Sequence, residues 1–203
     1  LEDLLKYHLI QIGATDIIQF RHQLIQEYYA AEELLEKLAA LSNKALKWKY
    51  LNYLKWAEPI ALMAGLASEK TQALRLVTLA LEVDYGLWAM LAGAIREEWQ
   101  AEVIAPISHL RVSPFMKTYL LGTVGSASAV TGLLTVFKDD DAYVRSRAAD
   151  ALGKIGDATA VSGLLTALQD DKLDVRCTAA EALGKLGDAT AVSGLLTALQ
   201  DDK

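Results

Sequence analysis

The sequence predicts an all-α fold: an α-solenoid of paired short helices, preceded by a helical domain and by the end of a helix–strand–helix element with one short β-strand. Three observations predict it. A period of 31 residues is visible three times in the second half of the 203-residue chain. Apolar residues recur at helical spacing through most of the sequence. Residues 17–21 (IIQFR) form the one short β-prone run. The expected domains are residues 1–40, 41–110 and 111–203.

The repeats carry the most information. Residues 153–172 read GKIGDATAVSGLLTALQDDK and residues 184–203 read GKLGDATAVSGLLTALQDDK, differing only at Ile155 against Leu186. One period earlier, residues 122–141 read GTVGSASAVTGLLTVFKDDD. Each unit predicts two helices. Val161, Leu164, Leu165 and Leu168 share a face of the first, and Asp157 stands where it can cap the free N–H groups. The turn Gln169-Asp170-Asp171-Lys172 ends that helix. The second runs over residues 173–183 with Val175, Ala179, Ala182 and Leu183 inward, and Gly184 is expected to stop it in a left-handed conformation. Neither helix buries its stripe alone, so neighbouring pairs must stack.

This segment resembles the short HEAT-like repeats of the phycobilin-lyase type. The matching residues are Val144-Arg145, Ala148-Ala149, residues 151–157 (ALGKIGD) and Ala160-Val161. They recur as Val175-Arg176, Ala179-Ala180, residues 182–188 (ALGKLGD) and Ala191-Val192. The chain is expected to continue into further repeats. Arg145 and Arg176, alternating with the turn aspartates, predict a charge ladder between units. The exposed face of the second helices is the expected partner surface, through Tyr143, Arg147, Asp150, Asp174 and Glu181.

In the N-terminal third, Leu1, Leu4, Leu5 and Leu9 predict a helix over residues 1–10. Ile18 and Phe20 fall on one side of the short strand. Leu24, Tyr28, Ala31, Leu34, Leu35 and Leu38 predict a helix over residues 23–40. Helix, strand and helix in this order form the tail of a winged-helix element. Residues 20–31 (FRHQLIQEYYAA) resemble the box that closes the winged-helix domain of NACHT-type signalling ATPases, a class of STAND nucleotide switches. The match holds at Phe20, His22, Gln26, Glu27, Tyr28, Ala30 and Ala31. The resemblance implies that His22 touches the β-phosphate of ADP and helps hold a closed state. It also implies an upstream ATPase domain using ATP or ADP with Mg, and a bacterial signalling or defence role. The sequence contains no G-x-x-x-x-G-K-[ST] loop, so His22 needs that upstream domain.

Composition narrows the alternatives. Apolar residues are 53 % and charged residues 23 % of the chain, which places it among folded rather than disordered sequences. A net charge of −6 argues against nucleic acid as a partner. No run approaches the ~18 apolar residues of a membrane span, residues 86–95 being the longest candidate. The lone cysteine, Cys177, fits a reducing, cytoplasmic compartment.

Residues 43–56 (NKALKWKYLNYLKW) read either as a basic–aromatic surface or as an amphipathic helix with Leu46, Tyr50, Tyr53 and Leu54 inward, and the acidic balance favours the latter. Pro59 breaks or opens a helix. Further helices are expected over residues 71–83, 86–99 and 101–109.

His8, His22 and His109 are scattered, and the paired aspartates recur in turns, so neither a metal site nor a catalytic constellation is expected. The expected function is the regulatory, sensor and protein-interaction region of a NACHT-family NTPase, itself not an enzyme and carrying no cofactor. The alternatives are a HEAT-repeat phycobilin lyase or related chromophore handler, and a plain HEAT-repeat interaction scaffold.

Overall fold

The computed structural model describes residues 10–12, 18–20 and 23–200. The chain divides into two compact units, Leu1–Ile95 and Arg96–Lys203.

In the first unit, β1 (Ile10–Ile12) and β2 (Ile18–Phe20) pair antiparallel, with Ile10 opposite Phe20 and Ile12 opposite Ile18. The helix expected over residues 1–10 thus does not include Ile10; the other nine lie outside the described residues. The alternating Ile-Gln-Ile run finds its backbone partners across the hairpin, which a three-residue strand requires. His22 also lies outside the described residues.

Helix α1 (Gln23–Leu38) buries Ala31, Leu34 and Leu38 and packs against α3 (Ala57–Leu66). Leu24 and Tyr28 were expected on the same buried stripe, yet they are 76 % and 41 % exposed. Periodicity defines a face, but burial follows the partner helix, and only the C-terminal half of this face is covered.

Residues 43–56 depart most from expectation. They form α2 (Asn43–Leu46), a π turn (Lys47–Leu51) and a 3-10 turn (Leu54–Trp56), not one helix. Ser42 Oγ accepts from the Ala45 N–H at 3.2 Å and starts the run. Leu46 and Leu51 are buried, and Tyr50 meets Trp56 edge-on at 5.1 Å. Tyr53 and Leu54, expected inward, are 53 % and 93 % exposed. The widened turn and the extended backbone at Tyr53 break the 3.6-residue register that placed them inside.

Pro59 is the third residue of α3, and it opens that helix. Helix α4 (Lys70–Leu81) and α5 (Tyr85–Ala94) complete the unit. Trp88 of α5 is buried, as are Leu76 and Val77 of α4. Arg75 of α4 ties the unit together. Its guanidinium donates to Leu38 O at 3.1 Å, to Leu41 O, and to Asn43 Oδ1 at 2.7 Å. A cation thus satisfies the orphan carbonyls just after α1. The helix expected over residues 86–99 ends at Ala94, because Ile95 and Arg96 are extended; Glu97 and Glu98 then favour a new N-terminus.

The second unit is a two-layer stack. One layer holds α6 (Glu97–Ile104), α8 (Ala127–Thr135), α10 (Val161–Ala167) and α12 (Ala191–Gln200). The other holds α7 (Pro114–Val124), α9 (Ala142–Ile155) and α11 (Leu173–Leu186). The residue range expected to be helical over 101–109 ends in a 3-10 turn (Ala105–His109), started by Pro106. Val175, Ala179, Ala182 and Leu183 are buried in α11, and Val161, Leu164 and Leu168 in and just after α10.

Glycine placement differs from expectation and shows how the stack closes. Gly184 does not end its helix; α11 continues to Leu186, and Gly187 adopts the left-handed conformation at φ 65°. Gly125 and Gly156 do the same after α7 and α9. Gly153, the equivalent of Gly184 one period earlier, lies inside α9. A Cβ there would stand 2.8 Å from Ala182 Cα, so its absence lets α9 and α11 approach closely. In the other layer, a Cβ on Gly163 would stand 2.3 Å from Leu134 Cδ2, and one on Gly194 would stand 2.3 Å from Leu165 Cδ2. Each of these leucines fills the space of the next repeat's missing side chain.

Candidate interaction surface

Helices α7, α9 and α11 lie side by side, and their outward positions form one face. The buried side is fixed by small residues: Ala148, Ala149 and Ala151 on α9, Ala179 and Ala182 on α11. Small residues at these positions let the helices approach closely, and shallow channels run between them on the outward side.

The five residues expected to meet a partner all lie on this face. Tyr143 is 61 % exposed and stacks on Phe115 of α7, with ring centroids 5.7 Å apart and planes 21° from parallel. Arg147, Asp174 and Glu181 are exposed, and Asp150 is half-buried. The structure brings Arg147 Nη1 to 3.6 Å from Asp150 Oδ2. Tyr143 and Asp174 line the channel between α9 and α11 together with Ser146, Cys177 and Thr178. Ser146 Oγ and Thr178 Oγ1 bridge that channel at 2.9 Å.

Sequence reasoning missed four further residues. Phe115 and Tyr119, exposed on α7, stand beside Arg147, Asp150 and Lys154 around a cavity of about 170 Å³ between α7 and α9. Asp150 sits among three cations. It accepts from Lys154 Nζ at 2.8 Å, and Lys185 Nζ lies 3.6 Å from its other oxygen. The Lys154 hydrogen bond, followed by the charges of Lys154, Lys185 and Arg147, holds the Asp150 carboxyl below its ordinary range against the opposing effect of burial. Phe115 and Tyr119 precede the regular repeats, so the period could not single them out. Their spacing of four beside a serine-capped proline was the available signal.

Residues 142–172 and 173–203 differ at six positions. Five of these are Ala142/Leu173, Tyr143/Asp174, Ser146/Cys177, Arg147/Thr178 and Asp150/Glu181. All five pairs lie on the second helices, and six of these ten residues line the α9–α11 channel. The buried residues Val144/Val175, Ala148/Ala179 and Leu152/Leu183 are identical. The scaffold is thus repeated while the outward face changes.

The model of HEAT repeats, as a family, matches residues 121–203. No curated protein matches the chain. The repeat segment is therefore similar to HEAT repeats, and its paired helices form an α-solenoid segment. Among the described residues, no helix is long and apolar enough to cross a membrane.

Proposed function

We propose that the 96–203 unit is a non-catalytic protein-interaction scaffold that works through the outward face of α7, α9 and α11. The observation that carries this reading is the confinement of five of the six repeat differences to that face. A stack kept only for its stability gains nothing from changing its solvent side in this pattern. Repeat surfaces of this kind present several helices at once to an extended partner. Photo-crosslinking in the source cells tests it. A benzophenone side chain at Tyr143 is expected to give discrete protein adducts, and one at Thr166, on the other layer, is not. Equal labelling at both positions, or none at Tyr143, would count against the proposal.

The finer reading places this scaffold in a NACHT-type signalling NTPase, as its regulatory and sensor region, in the cytoplasm. The FRHQLIQEYYAA box supports it, with β2 ending at Phe20 and α1 beginning at Gln23. On this reading the ATP or ADP site with its Mg lies upstream of Leu1, and His22 reads the bound phosphate. Two results would sink it: an upstream sequence without a phosphate-binding loop, or a full-length His22→Ala variant with unchanged autoinhibition. The chromophore-handling alternative draws on the repeats alone. A visible absorbance shift on titrating a bilin into the chain would be its signature.

A further inference from the structure

Resting on the interaction-scaffold reading, we infer that the groove between α7 and α9 takes an acidic protein segment bearing an aromatic or branched aliphatic anchor. The groove's shape, wall chemistry and charge each restrict the occupant.

The floor is close helix packing: a Cβ at Gly122 would stand 3.2 Å from Ala151 Cβ. Above it, the cavity of about 170 Å³ has room for several waters at about 30 Å³ each, and so for one bulky side chain. The wall on the α7 side is aromatic. Phe115 and Tyr119 are 39 % and 50 % exposed, and the stacked Tyr143 extends the same apolar strip toward α11. Rigid aromatics lose little side-chain entropy on binding and are enriched among the residues that dominate interface energies.

The rim selects sign. Arg147 and Lys154 line the cavity with a single carboxylate, Asp150, between them. Lys185 shares that same carboxylate at 3.6 Å. On the cavity wall one negative charge thus serves two positive ones, in a chain whose net charge is −6. Glu181, Asp174 and Lys185 all belong to α11, on the far side of α9 from this cavity. A partner carboxylate arriving at Arg147 or Lys154 meets cations that share one carboxylate, whereas a basic partner meets like charge; such complementarity governs selectivity and approach rate. The α9–α11 channel differs, since the one charged residue on its wall is Asp174.

Selection of a phage-displayed random dodecamer library on the whole chain tests the inference. Enriched peptides are expected to carry Asp or Glu on either side of Phe, Tyr, Trp, Leu or Ile. A synthetic copy of the leading sequence should bind more weakly as salt rises. Arg147→Glu with Lys154→Glu should weaken it by about tenfold or more, as should Tyr119→Ala. Asp150→Asn should tighten it, a gain that damage to the fold cannot imitate. Basic or uncharged consensus sequences, the absence of any enrichment, or indifference to both the charge reversal and Asp150→Asn would overturn the inference. Peptides whose binding responds instead to Asp174 and Cys177 variants would also overturn it, while leaving the scaffold reading in place.

Discussion

Arg145 of α9 holds Asp170, in the turn between α10 and α11, through both arms of its guanidinium: Nε to Oδ2 at 2.7 Å and Nη2 to Oδ1 at 2.7 Å. The same side chain donates to Asp139 O at 2.8 Å, to Asp140 O at 3.1 Å and to Asp171 Oδ1 at 2.9 Å. One arginine therefore stitches the turn before its own helix to the turn before α11. Both side chains are close to nine-tenths buried, so the pair is fork-on-fork and largely dry. Truncating either partner leaves a buried group without compensation. Arg145→Ala is expected to lower unfolding stability by about 3 kcal/mol. A double-mutant cycle with Asp170→Asn, read by urea denaturation, should show coupling of about 1 kcal/mol or more. Additive losses would mean that the two residues act independently.

This ion pair also sets a pH dependence. The hydrogen bond from Arg145, helped by the Lys172 N–H, lowers the Asp170 pKa to about 2, against the opposing effect of burial. In the unfolded chain the group titrates near the ordinary aspartate value of about 4. The folded value is the lower one, so its stabilisation is complete above about pH 5 and is lost as pH falls toward 2. Its size is on the order of 2 kcal/mol. Urea midpoints of the natural chain and of Asp170→Asn, taken from neutral pH downward, should converge in that acid range. Parallel curves would show that the carboxylate contributes nothing through its charge.

The second unit was legible because repetition averages out local ambiguity. Val175, Ala179, Ala182 and Leu183 were assigned inward from spacing, and all are buried. The ladder of Arg145 with the turn aspartates was visible, but its depth was not, since burial of a guanidinium depends on the neighbouring turn. The apolar pattern of residues 43–56 fits one helix, because such a pattern alone cannot announce a π turn. Leu24 and Leu54 fit a helical stripe, yet no helix among the described residues covers them. Gly184 and Gly187 are three residues apart in one motif, and only geometry tells which is left-handed. On the candidate surface, Phe115 and Tyr119 escaped notice for lack of a counterpart in the regular units: Ser146 and Asp150 stand one period later.

Gly153 should resist replacement by alanine. At Gly153 a new Cβ meets the backbone of Ala182 at 2.8 Å, so α9 and α11 must separate. Overpacking of this sort costs about 1–3 kcal/mol, which outweighs the gain in helix propensity of about 1 kcal/mol. Thermal melts should place Gly153→Ala below the natural chain. A melting temperature at or above that of the natural chain would dissolve the claim that close helix approach requires Gly153.

Ser126 stands where Asp157 and Asp188 stand in the later units, and it makes no capping bond. Asp157 accepts from the Thr159 N–H at 2.8 Å, and Asp188 from the Thr190 N–H at 2.8 Å. A carboxylate reaches this N–H two residues ahead, and its charge also suits the start of a helix. In the first of the three visible units, the N-terminus of α8 lacks both contributions. Ser126→Asp together with Ser128→Thr rebuilds the later pattern and is expected to raise stability by about 1 kcal/mol. Urea denaturation at neutral pH should show the gain, and the gain should fade as pH drops below the aspartate range. An increase that persists unchanged in acid would show that the substitution works by some route other than capping the helix.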